Sequence, residues 1–186
     1  ANQIALNLSS MTFMVAMGFG VVAMIRVGNQ KGLQQFSELR RIAFSIILQT
    51  SLLAVVFALL FVLCNEMLPK LYLDLDDSSN ILDNLEVISI ASKLLIIAAV
   101  FQISDAIQVV TLAALRGMQD VKTPMFITFI AYWVIGFPIS YYLSMHSNYG
   151  SSGIWIGILA GLTASAIMCF IRFYLLSNTL IAQAEN

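Results

Sequence analysis

Asp105 lies near the middle of a run from Val87 to Ala113 that is otherwise apolar enough to cross a bilayer. A carboxylate at that depth costs several kcal/mol unless it pairs, takes a proton or meets water, so it reads as an ion or proton site first and a structural contact between helices second. Gln102, Asp105 and Gln108 are spaced three apart and are expected to project along one helix face, with Phe101 one turn from the acid on the same side. Asp105 is 11 residues from Arg116, about 16 Å of helical rise, which places it deep rather than at the headgroups. Lys93 is 12 residues away in the other direction, about 18 Å along the same helix, so its stem is better suited to snorkel to the interface than to pair with Asp105.

Other polar and aromatic residues form weaker patterns. Gln3, Asn7 and Ser10 fall at i, i+4 and i+7, a polar face that fades into Met11, Met14 and Met17. Asn7 is a candidate cavity-lining residue, as is Gln102 beside the acid. The methionines read first as packing and second as an adaptable lining for apolar cations. Further on, Tyr132, Trp133, Gly136, Pro138, Tyr141 and Tyr142 share one apolar run. Pro138 removes a backbone donor and is expected to kink the helix, a candidate hinge. Tyr132 is the ring far enough inside to line a cavity, whereas Tyr141 and Tyr142 fit an interfacial aromatic belt. Gly153, Gly157, Gly161 and Ser165 recur four apart and mark a seam where a neighbouring helix can approach closely. No phosphate-binding Gly-rich loop, metal-ligand spacing of His and Cys, or nucleophile paired with a His occurs, so neither an enzyme nor a cofactor is expected.

The elements that must hold these residues are membrane helices. With 60% hydrophobic and 10% charged residues among 186, and a mean hydropathy of +0.89, the chain cannot coat a water-soluble globule. Five stretches, about 4–25, 42–63, 87–113, 125–143 and 154–176, are long enough to cross. Each approaches the roughly 20 helical residues that a hydrocarbon core requires, and none alternates as a barrel strand would. The expected class is therefore all-α, a polytopic membrane protein. Seven of the nine basic residues (Arg26, Lys31, Arg40, Arg41, Arg116, Lys122 and Arg172) fall on one side. By the positive-inside rule that side is cytoplasmic, with Ala1 outside and Asn186 inside.

The opposite side carries an acidic loop from Asn65 to Glu86, including Asp76-Asp77-Ser78-Ser79-Asn80, with Asp83 and Glu86 expected in the first helical turn after it. A solvated loop is the plain reading of that cluster. The basic residues form no stripe able to track phosphates, so a nucleic-acid partner is set aside. Cys64 and Cys169 fall at opposite ends of different spans and are not expected to form a disulfide. The chain opens on Ala1 without a basic leader or cleavage pattern and has an odd number of spans, so it reads as part of a longer protein.

These residues carry a family likeness. Asn2-Gln3-Ile4-Ala5-Leu6-Asn7, Arg26-Val27-Gly28-Asn29, Asp105-Ala106-Ile107-Gln108 through Leu115-Arg116-Gly117, and Tyr132-Trp133-Val134-Ile135-Gly136-Phe137-Pro138 occur in the order found in multidrug and toxic compound extrusion (MATE) transporters. Over almost its whole length the chain resembles the C-terminal half of the NorM-like branch. The resemblance implies a twelve-helix, two-lobed antiporter in which this chain supplies helices eight to twelve and an N-terminal part of the same transporter supplies the rest. It also implies that Asp105 contributes to cation binding, with Gln108 and Phe101 beside it. The branch often has Tyr where Phe101 stands and His where Asn2 stands, so a ring hydroxyl at 101 is not available here.

The expected function is export of organic cations or amphipathic drugs in exchange for Na+ or H+, in a bacterial inner membrane, with Na+ at Asp105 one form of the coupling ion. Two rivals are a lipid-linked saccharide flippase of related plan, which would want a basic cavity, and a membrane enzyme acting on lipid head groups, which would want clustered carboxylates or a metal. A non-transporting assembly subunit is a third.

Overall fold

The computed structural model describes residues 2–70, 81–146 and 150–184. Their backbone forms α1 (Asn2–Gly32), α2 (Phe36–Leu63), the single turn α3 (Met67–Lys70), α4 (Ile81–Gly117), α5 (Lys122–Ile130), a π-helical stretch Ala131–Gly136, α6 (Phe137–His146) and α7 (Gly150–Ala184). Five helices are long and apolar enough to cross a membrane: Asn2–Gly32, Phe36–Leu63, Val87–Gly117, Lys122–His146 and Ser152–Ala184. Each apolar run expected from the sequence lies within one of them. The helices continue past the apolar runs into polar flanks. The acidic turn Asp76-Asp77-Ser78-Ser79-Asn80 lies outside the described residues; α4 begins at Ile81, so the backbone of Asp83 is in its first turn and that of Glu86 in its second. Cys64 and Cys169 are free thiols.

Helix α4 is the hub, packed against α1, α2 and α7. Toward the acidic-loop end, Ile4, Leu8, Phe61, Leu94, Leu95 and Trp155 form one core cluster. Toward the basic end, Val27, Leu39, Leu115, Met118 and Phe173 form another. Between them the facing residues are small, with Ala16, Ala54 and Ala106 buried together, so the helix axes can approach closely where the polar groups lie. At the basic end two of the quoted motifs meet: a Cβ on Gly117 would lie 2.5 Å from the Met24 carbonyl oxygen and 3.1 Å from the Gly28 nitrogen. Only glycine fits, because both obstacles are backbone.

The turns at the basic end repeat one device. Gln34 and Gln119 have φ of 58° and 63°, the left-handed conformation that ends a helix. After α1, Gln34 N–H donates to Lys31 O at 3.1 Å and Gln35 N–H to Gln30 O at 3.0 Å. After α4, Gln119 N–H donates to Arg116 O at 2.9 Å and Asp120 N–H to Leu115 O at 3.0 Å. The second turn is also clasped from both sides. Lys31 Nζ donates to Met118 O at 2.6 Å, and Arg172 Nε pairs with Asp120 Oδ2 at 2.7 Å.

The glycine seam of α7 packs against the span Lys122–His146. Gly153 abuts the Leu143 carbonyl, Gly157 abuts Ser140, and Gly161 faces Ala131 O and Gly136 Cα. The irregularity expected at Pro138 is centred one turn earlier, in the π-helical stretch, where Phe137 N–H reaches the Tyr132 carbonyl five residues back. Pro138 has no N–H for the Val134 carbonyl, and the widened turn takes up that mismatch.

Candidate cation site and its surroundings

Asp105 is half-buried on the face of α4 that meets α1 and α2. Its pocket is lined by Gln102, Thr12 and Thr50 as polar groups, with Phe13, Leu53 and Phe57 among the apolar ones. The cavity has room for one water molecule or one small ion. Among the described residues the ion pairs are Arg41–Glu38 and Arg172–Asp120, so Asp105 is in neither. Lys93 is exposed, in keeping with a snorkelling stem.

The polar stripe expected on one face of α4 divides. Gln102 shares the pocket with Asp105, but Gln108 turns toward α7 and the π-helical stretch. Its Nε2 donates to Ser165 Oγ at 2.8 Å, and its Oε1 accepts the Tyr132 hydroxyl at 3.0 Å. The reason is angular. Each step of three residues falls short of a full turn, and two such steps leave Gln108 about 120° around the helix from Gln102. Ser104 adds a second link on the α7 side, its hydroxyl 2.9 Å from that of Thr163.

Phe101 packs edge-on against Trp155, with centroids 6.0 Å apart, and is not part of the pocket lining. Trp155 Nε1 in turn donates to Asn2 Oδ1 at 2.8 Å, so positions 2 and 101 belong to one aromatic and polar cluster near the start of α1. Asn7 is exposed and accepts from Gln3 Nε2 at 3.2 Å. Tyr132 borders an open groove of about 420 Å³ that also involves Phe137, Tyr141, Met145, Ile154 and Ile158. Met11, Met14 and Met17 lie on the exposed side of α1.

Thr12 and Thr50 were not legible as site residues. Depth would have flagged one of them: Thr50 is 9 residues from Arg41, about 14 Å of rise from the basic end, close to the level of Asp105.

A family model, MatE, matches residues 1–142. The chain belongs to the MatE family. Its members are transporters rather than enzymes, which sets the lipid-enzyme reading aside. This MatE chain is 39% identical over 179 residues to the multidrug resistance protein MdtK of Proteus mirabilis (strain HI4320), covering 94% of the chain and 37% of that protein. It is 39% identical over 182 residues to the multidrug resistance protein NorM of Burkholderia vietnamiensis, covering 98% of the chain and 38% of the relative. Against the MdtK of Yersinia enterocolitica the figure is 40% over 176 residues, 92% of the chain and 36% of the relative. The chain thus spans well under half the length of these relatives. A solved structure titled as the inward-facing conformation of a multidrug resistance MATE family transporter superposes with a TM-score of 0.81 at 17% identity, covering 96% of this chain and 39% of that one. That likeness shows the fold. The motifs quoted from the sequence fall on α1, on the Gly28–Gly117 contact and on the π-helical stretch with Pro138.

Proposed function

We propose that the full-length MatE protein carrying this chain is a secondary antiporter that exports organic cations or amphipathic drugs in exchange for Na+ or H+. The chain would supply helices eight to twelve of a two-lobed fold, within the C-terminal lobe, in a bacterial inner membrane with the basic end cytoplasmic. The observation that carries this reading is a mid-span carboxylate in a pocket fit for one small ion and held in neither described ion pair. The family membership and the names of the relatives, multidrug resistance proteins, support a multidrug substrate.

In this reading, ionised Asp105 holds either the coupling ion or a cationic substrate, and neutralisation by the ion removes its attraction for the drug. Alternating access then follows as the lobes exchange between two arrangements, each favoured by a different ligand. Pro138 and the adjoining π-helical stretch form the hinge, because a turn already short of an α-helical hydrogen bond bends at lower cost. The flippase reading is not favoured, since Asp105 is the ionisable side chain in the central pocket.

The test is efflux of a fluorescent organic cation from vesicles bearing the full-length protein, under separately imposed Na+ and pH gradients. Asp105→Asn is expected to abolish gradient-driven export while leaving the protein folded. Normal export by that variant under either gradient would sink the assignment.

A further inference from the structure

An open groove of about 310 Å³ runs over α4 between α2 and α7. Ser104 and Ile107 of α4 form its floor, with Ile47 of α2 on one wall and Ile167, Phe170 and Ile171 of α7 on the other. Ile107 is two residues from Asp105, a step of about 200°, so the groove and the candidate cation site lie on nearly opposite faces of the hub. The polar atoms at its mid-span end satisfy each other, since the Ser104 and Thr163 hydroxyls are 2.9 Å apart. What remains is an apolar trough whose rim residues Ile167 and Ile171 are 56% and 51% exposed.

The trough leads to a cation. Arg40, Phe44 and Ile47 fall at i, i+4 and i+7 on α2, while Ile167, Ile171, Tyr174 and Asn178 fall at i, i+4, i+7 and i+11 on α7. Each helix therefore carries one stripe from the groove to the basic end. There Arg40 Nη1 donates to Asn178 Oδ1 at 2.5 Å, and the guanidinium carbon lies 5.9 Å from the Tyr174 ring centroid. Both partners are neutral, so they aim the guanidinium without cancelling its charge. Of its five N–H groups, one is spent on that bond among the described residues. Arg41, the next residue, is turned to Glu38 instead. From Thr163 to Tyr174 is 11 residues, about 16 Å of rise, close to half of a hydrocarbon core about 30 Å thick.

We infer that this groove seats an acyl chain of an anionic phospholipid from the leaflet at the basic end, with the lipid phosphate on Arg40. The length matches one leaflet, and the planar guanidinium fork matches a phosphate. Basic pockets between membrane helices are suited to anionic head groups, and a lipid with a net negative charge is preferred to one whose own ammonium competes with Arg40. A cationic amphipath would meet Arg40 with like charge. A helix from elsewhere in the protein, about 10 Å across, would sit over the groove and leave its floor unfilled. Because α2 and α7 touch each other little, a chain lying between them joins two helices that otherwise meet through α4. Lipid binding there requires no particular role of Asp105.

The experiment mixes full-length protein in detergent micelles with phosphatidylglycerol bearing a photoreactive acyl chain and maps the labelled peptides by mass spectrometry. Label is expected on the segments holding Ile47 and Ile167 to Ile171, with unlabelled phosphatidylglycerol competing about tenfold better than phosphatidylethanolamine. Arg40→Gln is expected to cut that labelling about tenfold. Ile167→Trp keeps Arg40 but fills the groove, and is expected to cut it as far. If Arg40→Gln fails to yield monodisperse protein, Ile167→Trp and the lipid competition decide. Equal competition by the two lipids, or unchanged labelling of these segments in both variants, would overturn the proposal. So would a wild-type groove that takes no label, the result expected if another part of the protein covers it.

Discussion

The Tyr132 hydroxyl donates to Gln108 Oε1 at 3.0 Å, tying the π-helical stretch to α4 one turn from Asp105. Gln108 Nε2 continues to Ser165 Oγ at 2.8 Å, so two hydrogen bonds join three spans. Gln108 and Ser165 are buried, which makes either bond costly to leave half-made. Tyr132→Phe strands Gln108 Oε1 and is expected to destabilise the full-length protein by about 1–3 kcal/mol. A double-mutant cycle with Gln108→Leu, followed by thermal unfolding in detergent, should return a coupling of about 1 kcal/mol; additive effects would mean the bond contributes nothing.

Glycine positions should respond very differently to one methyl group. Gly117→Ala drives a Cβ into the Met24 carbonyl and cannot be relieved by a side-chain rotation. A loss of about 1–3 kcal/mol is expected. Gly18 has nothing within 4 Å of a built Cβ, so Gly18→Ala should gain up to about 1 kcal/mol from helix propensity alone. Melting midpoints of the two variants measured side by side test the contrast, and equal midpoints would contradict the observed packing.

The proposed coupling role of Asp105 predicts that proton and Na+ compete for it. A neutral carboxyl has lost the charge that holds the ion, so Na+ use is expected to weaken as pH falls. In the limit where the protonated form dominates, half-saturating Na+ should rise about tenfold per pH unit. Half-saturation that stays flat as the medium is acidified would show that Asp105 is not the shared ligand.

The clasp on the α4–α5 turn joins α1 and α7 to α4 through Lys31 and Arg172. Asp120→Asn removes the charge from a partly exposed pair and is expected to cost no more than about 1 kcal/mol, with the loss shrinking in high salt. Salt-independent destabilisation would assign Asp120 a role in the turn itself rather than in the pair.

Gln119 adopts a conformation that costs a side chain about 1 kcal/mol and glycine almost nothing. Gln119→Gly should therefore raise the melting midpoint, unless the 3.2 Å bond from Lys31 Nζ to Gln119 Oε1 offsets the relief. The same change at Gln34, with φ of 58°, serves as the comparison.

The five spans were legible because long apolar runs have few alternatives in a bilayer, and the α7 seam because small residues four apart permit close approach. Asp105 stands out for the opposite reason, as a residue type that its surroundings disfavour. The site around it was less so. Spacing by three suggested a single face for Gln102, Asp105 and Gln108, but the helix period rotates the third away toward Ser165 and Tyr132. Thr12 and Thr50 reach the pocket through the packing of α1 and α2 on α4, a relationship between distant segments that no local pattern encodes. Asp120 and Arg172 are 52 residues apart in the chain, and their pairing depends on where α7 lands. The left-handed turns went unmarked because glutamine, not glycine, occupies them.

The π-helical stretch Ala131–Gly136 has a consequence for how its span can move. A π turn stores one residue more than the α-helix on either side, a small surplus of thread. Passing that surplus along the helix turns the segment it crosses by about 100°. Geometry thus permits Tyr132 and Trp133 to trade places between groove and outer surface while Lys122 and His146 stay at their ends, a swivel that requires no melting of the helix.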